Sequence, residues 1–247
     1  MARILLLVSL LISLGFSLQK KHPITIYMAG DSTMAYKPKK EHPERGWGML
    51  LPEFFDDKII IKNHARNGRS TRTFIEEGRW QAIIDSIQKG DYVVIQFGHN
   101  DGSITHTDRY TPPDQYKTNL IRFVNESRAK KAQPILCTPI MRRRFDKEGK
   151  FYDVHGVYPD LVRQVADSLR VPIIDMQRKS EKVIIAHGLE GSKKLFLHIQ
   201  PGAYEVLPEG LRDDTHFSEY GARIMTGIFA EGLKETKLKL AKHLKDK

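Results

Sequence analysis

A single cysteine, Cys137, stands in the whole chain, so no internal disulfide can form and the protein must rest on its packed core. The thiol lies in the apolar run Pro134-Ile135-Leu136-Cys137-Thr138, which predicts a small buried hydrophobe rather than a nucleophile. The ten histidines include no His-x-x-x-His pair, so no metal site of that spacing is expected. The chain has no Gly-x-Ser-x-Gly elbow, which argues against a standard α/β-hydrolase, and no Gly-rich phosphate loop of either common pattern. It also has no internal repeat and no low-complexity segment.

Long hydrophobic runs are missing too. The one apolar stretch near the N-terminus, Ile4 to Leu18, follows Arg3, precedes Gln19-Lys20-Lys21 and is too short to span a bilayer comfortably. It predicts a signal peptide over residues 1–17, an uncleaved anchor helix being the alternative, with residues 18–247 forming a single catalytic domain. The expected location is periplasmic or extracellular, without stable membrane association once the leader is removed. No cysteine lies near the cleavage site, so no lipid-anchored form is expected.

What is present is charge and alternation. The 247 residues carry a formal +10, and losing residues 1–17 removes only Arg3 among the charged side chains, leaving +9. That balance favours polyanions, and for an exported chain an acidic polysaccharide leads nucleic acid or anionic lipid. Strand-like apolar runs recur at Ile24–Ala29, Ile59–His64, Tyr92–Phe97, Pro134–Thr138 and Val171–Ile174. Helical patterns lie between them, around Trp47–Phe55, Arg79–Lys89, Asp114–Lys131 and Pro159–Leu169. A last helix runs through Ala222–Leu233 behind a Ser218 cap, and the lysine-rich tail from Lys234 reads as a solvated helix end. Such alternation predicts an α/β fold with a parallel sheet covered by helices on both faces. The long connections Asp101–Pro113 and Ile140–Tyr158 are expected to border the site.

Polar groups follow the strands where an open sheet presents its crevice. Gly30-Asp31-Ser32-Thr33 follows the first run, Asn63 to Ser70 the second, Gly98-His99-Asn100-Asp101 the third, and Asp213-Asp214-Thr215-His216 stands near the C-terminus. A serine becomes a nucleophile beside a base whose tautomer a carboxylate fixes. Asp213 and His216 are three apart, which on a turn or first helical turn sets them side by side and favours Asp213 over Asp214. The backbone N–H groups of Ser32 and Gly68 and the Asn100 amide could serve a developing oxyanion. Asp31 is expected to accept turn hydrogen bonds, and Trp47 to lie in the core rather than serve as a sugar platform. His99 is either a structural hydrogen-bonding residue or a border of the acyl pocket. Arg69, beside Gly68, is a candidate for touching substrate, and the run Arg142-Arg143-Arg144 is either a solvated face or placed to meet the carboxylates of an acidic polymer.

The set Gly30-Asp31-Ser32-Thr33, Gly68, Gly98-His99-Asn100-Asp101 and Asp213-x-x-His216 resembles the SGNH, or GDSL-type, hydrolases. More narrowly, Gly30-Asp31-Ser32-Thr33-Met34-Ala35, Gly46-Trp47-Gly48, Gly68-Arg69-Ser70 and Phe97-Gly98-His99-Asn100-Asp101 are similar to the rhamnogalacturonan acetylesterases. The resemblance runs from about Ile24 to Leu233. It implies a three-layer, flavodoxin-like α/β/α sandwich with a five-stranded parallel sheet. It also implies Ser32 as nucleophile, His216 as base, Asp213 as its orienting partner, an oxyanion hole of Ser32, Gly68 and Asn100, and no metal or organic cofactor. The expected substrate is an acetylated pectic polysaccharide. The alternatives are deacetylation of xylan or a small acetylated sugar, a lysophospholipase, and a non-catalytic polysaccharide-binding module.

Overall fold

The structure, a computed structural model, describes residues 22–37 and 42–245. The predicted leader lies outside the described residues.

Five strands form one parallel sheet: β1 (Ile24–Gly30), β2 (Ile59–Asn63), β3 (Tyr92–Gln96), β4 (Gln133–Cys137) and β5 (Ile173–Ile174), in the order β2-β1-β3-β4-β5. These are the apolar runs of the sequence. All of β3 is buried, as a strand covered on both faces must be. The helices are α1 (Trp47–Leu50), α2 (Thr71–Glu76), α3 (Arg79–Ser86), α4 (Pro113–Ala129), α5 (Tyr158–Ser168), α6 (Met176–Gly191) and α7 (Glu219–Glu235). Alternate residues of β1 feed two cores. Ile26 and Met28 pack with Trp47, Met225 and Phe229 on one face, while Tyr27 and Ala29 pack with Trp80, Phe123 and Val162 on the other. The layers are therefore α/β/α. The direction of winding reverses between β1 and β3, so the crevice beyond their C-terminal ends is the switch point where such sheets bind ligands.

The chain differs from the sequence reading in four ways. The helix predicted over Trp47–Phe55 stops at Leu50 and tightens into a 3-10 turn, Leu51–Phe54, because Pro52 has no N–H to continue the ladder. Two helices, α2 and α6, were not expected. The six residues of α2 are too few to show a period, and the buried residues of α6 include Gln177 and Ser180 beside Met176 and Ile184. An antiparallel hairpin, β6 (Phe196–Ile199) with β7 (Leu211–Phe217), stands apart from the main sheet.

The tail is the fourth difference. The chain turns at Lys237 (φ 58°) and a 3-10 helix, Lys239–His243, brings Leu240 fully into the core. Leu244 bridges to Phe55, and His243 Nδ1 lies 3.0 Å from Asp56 Oδ2. Lysines surround this single buried leucine in the sequence, so no period shows. Leu240→Ala should lower the unfolding free energy by roughly 2–5 kcal/mol, the range for truncating a buried leucine. Urea denaturation measures it, and a change below about 0.5 kcal/mol would return the tail to solvent.

Candidate active site

Ser32 sits on a turn built by its neighbours. A Cβ at Gly30 would meet Met34 Sδ at 2.7 Å and the Gln96 carbonyl at 2.9 Å, so only glycine lets the end of β1 pass this close. Asp31 is fully buried, and its Oδ1 accepts from Thr33 N (3.0 Å) and Thr33 Oγ1 (2.8 Å). Its Oδ2 faces His99 Nδ1 at 3.0 Å. Burial alone would raise this carboxyl, but the attraction and hydrogen bond of His99, with the Thr33 contacts, outweigh it and bring the pKa down to about 2. Asp31 therefore tensions the turn, while Ser32 beside it faces the cleft.

His216 Nε2 lies 2.9 Å from Ser32 Oγ, and its Nδ1 lies 2.6 Å from Asp213 Oδ2. With the carboxylate accepting from Nδ1–H, Nε2 is left to accept from the serine hydroxyl. The pair sits neither on a simple turn nor on a helix. In β7 the partner of Phe196 is Phe217 and the partner of Leu197 is Asp213, so Asp214, Thr215 and His216 loop out as a bulge. Residues three apart on a regular strand would face opposite sides. The bulge undoes this, and Asp213 Oδ1 closes it by accepting from Thr215 N (2.7 Å) and His216 N (3.1 Å). For Asp213 too, burial opposes ionisation, and the His216 ring with the two backbone N–H groups overcomes it, bringing the pKa to about 2.

Asp214 points elsewhere. It meets Arg143 Nη1 at 2.9 Å, His198 Nε2 at 2.7 Å and Arg144 Nη1 at 3.5 Å.

Across the cleft stand Gly68 and Asn100. Gly68 has φ +74°, a backbone conformation that calls for glycine, and Arg109 Nη1 lies 3.2 Å from where a Cβ would stand. Asn100 Nδ2 donates to the Arg69 carbonyl at 3.0 Å, tying the loop after β3 to the loop after β2. Asp101 repeats the tie one residue on: its Oδ1 accepts from Thr71 N (2.8 Å) and Thr71 Oγ1 (2.6 Å). Burial pushes Asp101 up to about 7 against these bonds. His99 is buried, its Nε2 2.9 Å from the Ile140 carbonyl, and it also borders the cleft, so both roles considered for it meet in one residue.

Ser32, His216, Asp213, Gly68, Asn100, His99, Arg69 and Arg142 all line one cleft of about 660 Å³. Arg143 and Arg144 do not, which corrects the expectation for them. Arg143 is only 7% exposed and is held by Ser192 Oγ (3.0 Å), the Leu189 carbonyl (2.5 Å) and Asp214. Arg144 pairs with Asp214 and borders an adjoining hollow beside Val154 and His155, which shares His99, Ser103 and Arg142 with the cleft. The segment carries no helical or strand ladder, and alternation along an extended backbone turns Arg143 away from the face of Arg142, while Arg144 is drawn aside toward Asp214. Arg69 reaches the cleft, but Glu77 engages its Nε at 2.9 and 3.0 Å and its Nη2 at 2.6 Å. The Asp101–Pro113 connection adds Ser103, His106, Asp108 and Arg109, residues whose only signal in the sequence is the length of their loop. Trp47 is buried, its Nε1 2.8 Å from Gln96 Oε1, and Cys137 is buried with its thiol pKa pushed up by desolvation. Among the described residues, no group of three or more His, Cys, Asp or Glu is arranged to hold a metal ion.

Residues 28–224 match the GDSL-like Lipase/Acylhydrolase family. The chain belongs to this family. It is a carboxylic-ester hydrolase. It is 42% identical over 224 residues to the rhamnogalacturonan acetylesterase RhgT of Bacillus subtilis, covering 91% of this chain and 95% of that one. It is 36% identical over 220 residues to the probable rhamnogalacturonan acetylesterase YesY of the same species, covering 89% and 96%. Among solved structures, the YxiM protein of Bacillus subtilis superposes with a TM-score of 0.74 at 27% identity, covering 87% of this chain and 57% of that one. The acetylxylan esterase Axe2 of Geobacillus stearothermophilus gives a TM-score of 0.62 at 20% identity, covering 88% and 95%, a likeness of fold.

Two outcomes are expected from these contacts. Asp213→Asn should lower kcat by about 10⁴, as the wrong histidine tautomer does in serine-protease triads. Asp214→Asn should act mainly on stability, by weakening the Arg143 anchor, and comparable kcat losses in the two variants would contradict the assignment. Asp101 provides a pH test. Its folded pKa of about 7 stands above the ordinary 3.8, so the folded state holds a proton that the unfolded state releases. Stability should therefore fall as pH rises from about 4 to 7, the cost being complete above that window. Asp101→Asn should flatten this part of the curve in denaturation at stepped pH, and parallel curves would place the proton elsewhere.

Proposed function

We propose that the chain is an acetylesterase that removes O-acetyl groups from a pectic polysaccharide, rhamnogalacturonan, through an acetyl-serine intermediate. The observation that carries the reaction is the hydrogen-bonded line Ser32–His216–Asp213 in an open cleft. The polymer is supported by the two relatives matched over nearly their whole length, a rhamnogalacturonan acetylesterase and a probable one. Ser32 Oγ attacks the ester carbonyl while His216 Nε2 takes the hydroxyl proton. The carbonyl oxygen gains charge and is met by the N–H groups of Ser32 and Gly68 and the Asn100 amide. As the intermediate collapses, His216 returns the proton to the departing sugar oxygen, leaving the acetyl on Ser32. Water then attacks that ester, giving its proton to His216, and acetate leaves as Ser32 recovers its hydrogen. Asp213 holds the ring and stabilises its cationic form throughout. Export is part of the proposal, on the strength of the apolar run behind Arg3.

Acetate release from a panel of acetylated rhamnogalacturonan, acetylated xylan and acetylated monosaccharides tests the reading. The highest kcat/KM is expected on rhamnogalacturonan, with a loss of about 10³-fold or more in Ser32→Ala. Preference for xylan or for a free sugar would overturn the pectic assignment, and an active Ser32→Ala would overturn the mechanism.

A further inference from the structure

The cleft is not uniformly basic. Its lining holds Arg69, Arg109 and Arg142 against Glu44, Glu77, Asp108 and Asp213. Recognition of an acidic polymer must therefore come from particular guanidinium groups rather than from the net field. Most of these charges are already satisfied within the protein. Glu44 meets Lys37 Nζ at 2.5 Å, Glu77 meets Arg69 and Arg79, and Asp213 serves His216. Arg69 is spent as well, since its Nε and Nη2 meet Glu77 and its Nη1 meets the Asn67 carbonyl at 2.8 Å.

Two arginines are not. Arg109 uses only its Nε, on the exposed Asp108 at 3.2 Å, and among the described residues neither of its Nη groups has an acceptor. Arg142 uses only one Nη, on the His99 carbonyl at 3.2 Å, and among the described residues it makes no direct ion pair although it is half-buried. Burial pulls its pKa below the ordinary guanidinium value. Asp31 and Asp213 attract this cation from a distance but do not bond it, and a partly desolvated guanidinium with open donors gains most from a ligand that supplies a directly bonded anion.

Both groups are held in place. Arg72, on α2, donates to the carbonyls of Thr107 (3.1 Å), Asp108 (2.8 Å) and Tyr110 (3.2 Å), fixing the loop that carries Arg109. Arg109 Nη1 lies over Gly68, and Arg142 is tied to the residue preceding Asn100, so the two flank the loops that carry the oxyanion donors.

We propose that Arg109 and Arg142 form a clamp for a carboxylate of the substrate, a uronate on the acetylated sugar or its chain neighbour, beside the acyl-transfer centre. The clamp rests on the acidic-polymer reading above. A guanidinium presents paired donors that match a carboxylate, which gives orientation as well as attraction. The clamp would set which ester of the polymer meets Ser32.

The test compares an acetylated rhamnogalacturonan oligosaccharide with the same oligosaccharide after its carboxyls are reduced to alcohols. The quantity read is the ratio of kcat/KM on the acidic form to that on the reduced form. Arg109→Gln and Arg142→Gln should each lower the ratio about tenfold, chiefly through KM on the acidic form, and Arg142→Lys should recover part of it. An unchanged ratio, including equal losses on both forms, would overturn the clamp. A second arm does not need the acetylated polymer: inhibition of aryl acetate hydrolysis by non-acetylated oligogalacturonate and by a neutral oligogalactan. The parent should be inhibited by the acidic oligomer alone, with Ki raised about tenfold or more in the double Gln variant. Absence of that selectivity in the parent would overturn the clamp, whereas selectivity in a parent that releases no acetate from the polymer would uphold the clamp and refute the pectic substrate.

Discussion

Oδ1 of Asp213 accepts the backbone N–H groups of Thr215 and His216, and Oδ2 of the same carboxylate accepts Nδ1–H of His216. One side chain thus shapes the bulge in β7 and fixes the imidazole that the bulge presents. The hydrogen bond from Ser32 to His216 joins residues 184 apart in sequence, and it exists only because the hairpin docks against the crevice end of the sheet. Leu195, Phe196 and Phe217 sink the hairpin into the core beneath α7, whose N-cap Ser218 follows directly. The geometry of the cleft on this side is set by packing that runs through the hairpin to the last helix.

The other side depends on buried polar ties between loops. Asp31 with His99, Asn100 with the Arg69 carbonyl, and Asp101 with Thr71 join the ends of β1, β2 and β3 across long sequence distances. Buried polar ties of this kind contribute modestly to net stability but are expensive to break singly, because the remaining partner is left unsatisfied. Their consequence is positional. Ser32 and Asn100 each follow a member of the Asp31–His99 pair, so that contact sets the spacing between the hydroxyl and the amide. Donors held this way need little reorganisation when an oxyanion develops.

The sheet was legible because its strands are buried on both faces and read as unbroken apolar runs, of which Tyr92–Gln96 is the clearest. Ser32, Gly68, Asn100, Asp213 and His216 could be picked out because each sits beside a strand end or within a short motif. The hairpin was not legible: Leu-Arg-Asp-Asp-Thr-His-Phe carries no apolar alternation, and its pairing depends on a carboxylate inside the bulge. The arginines show the same limit. Composition places Arg142, Arg143 and Arg144 together, but which of them faces the cleft depends on backbone direction and on Asp214, 70 residues further along. Arg109 gives no sign in the sequence, since its position comes from Arg72 gripping the carbonyls of its loop.

At the centre of the account is a covalent acetyl group passing through Ser32. Rapid quenching of a single turnover with an aryl acetate, followed by peptide mass spectrometry, looks for that intermediate directly. An acetyl group should appear on the peptide containing Ser32 within the burst of phenol release and decay as acetate forms. Turnover with no acetylated peptide, or with the acetyl on another residue, would contradict the account.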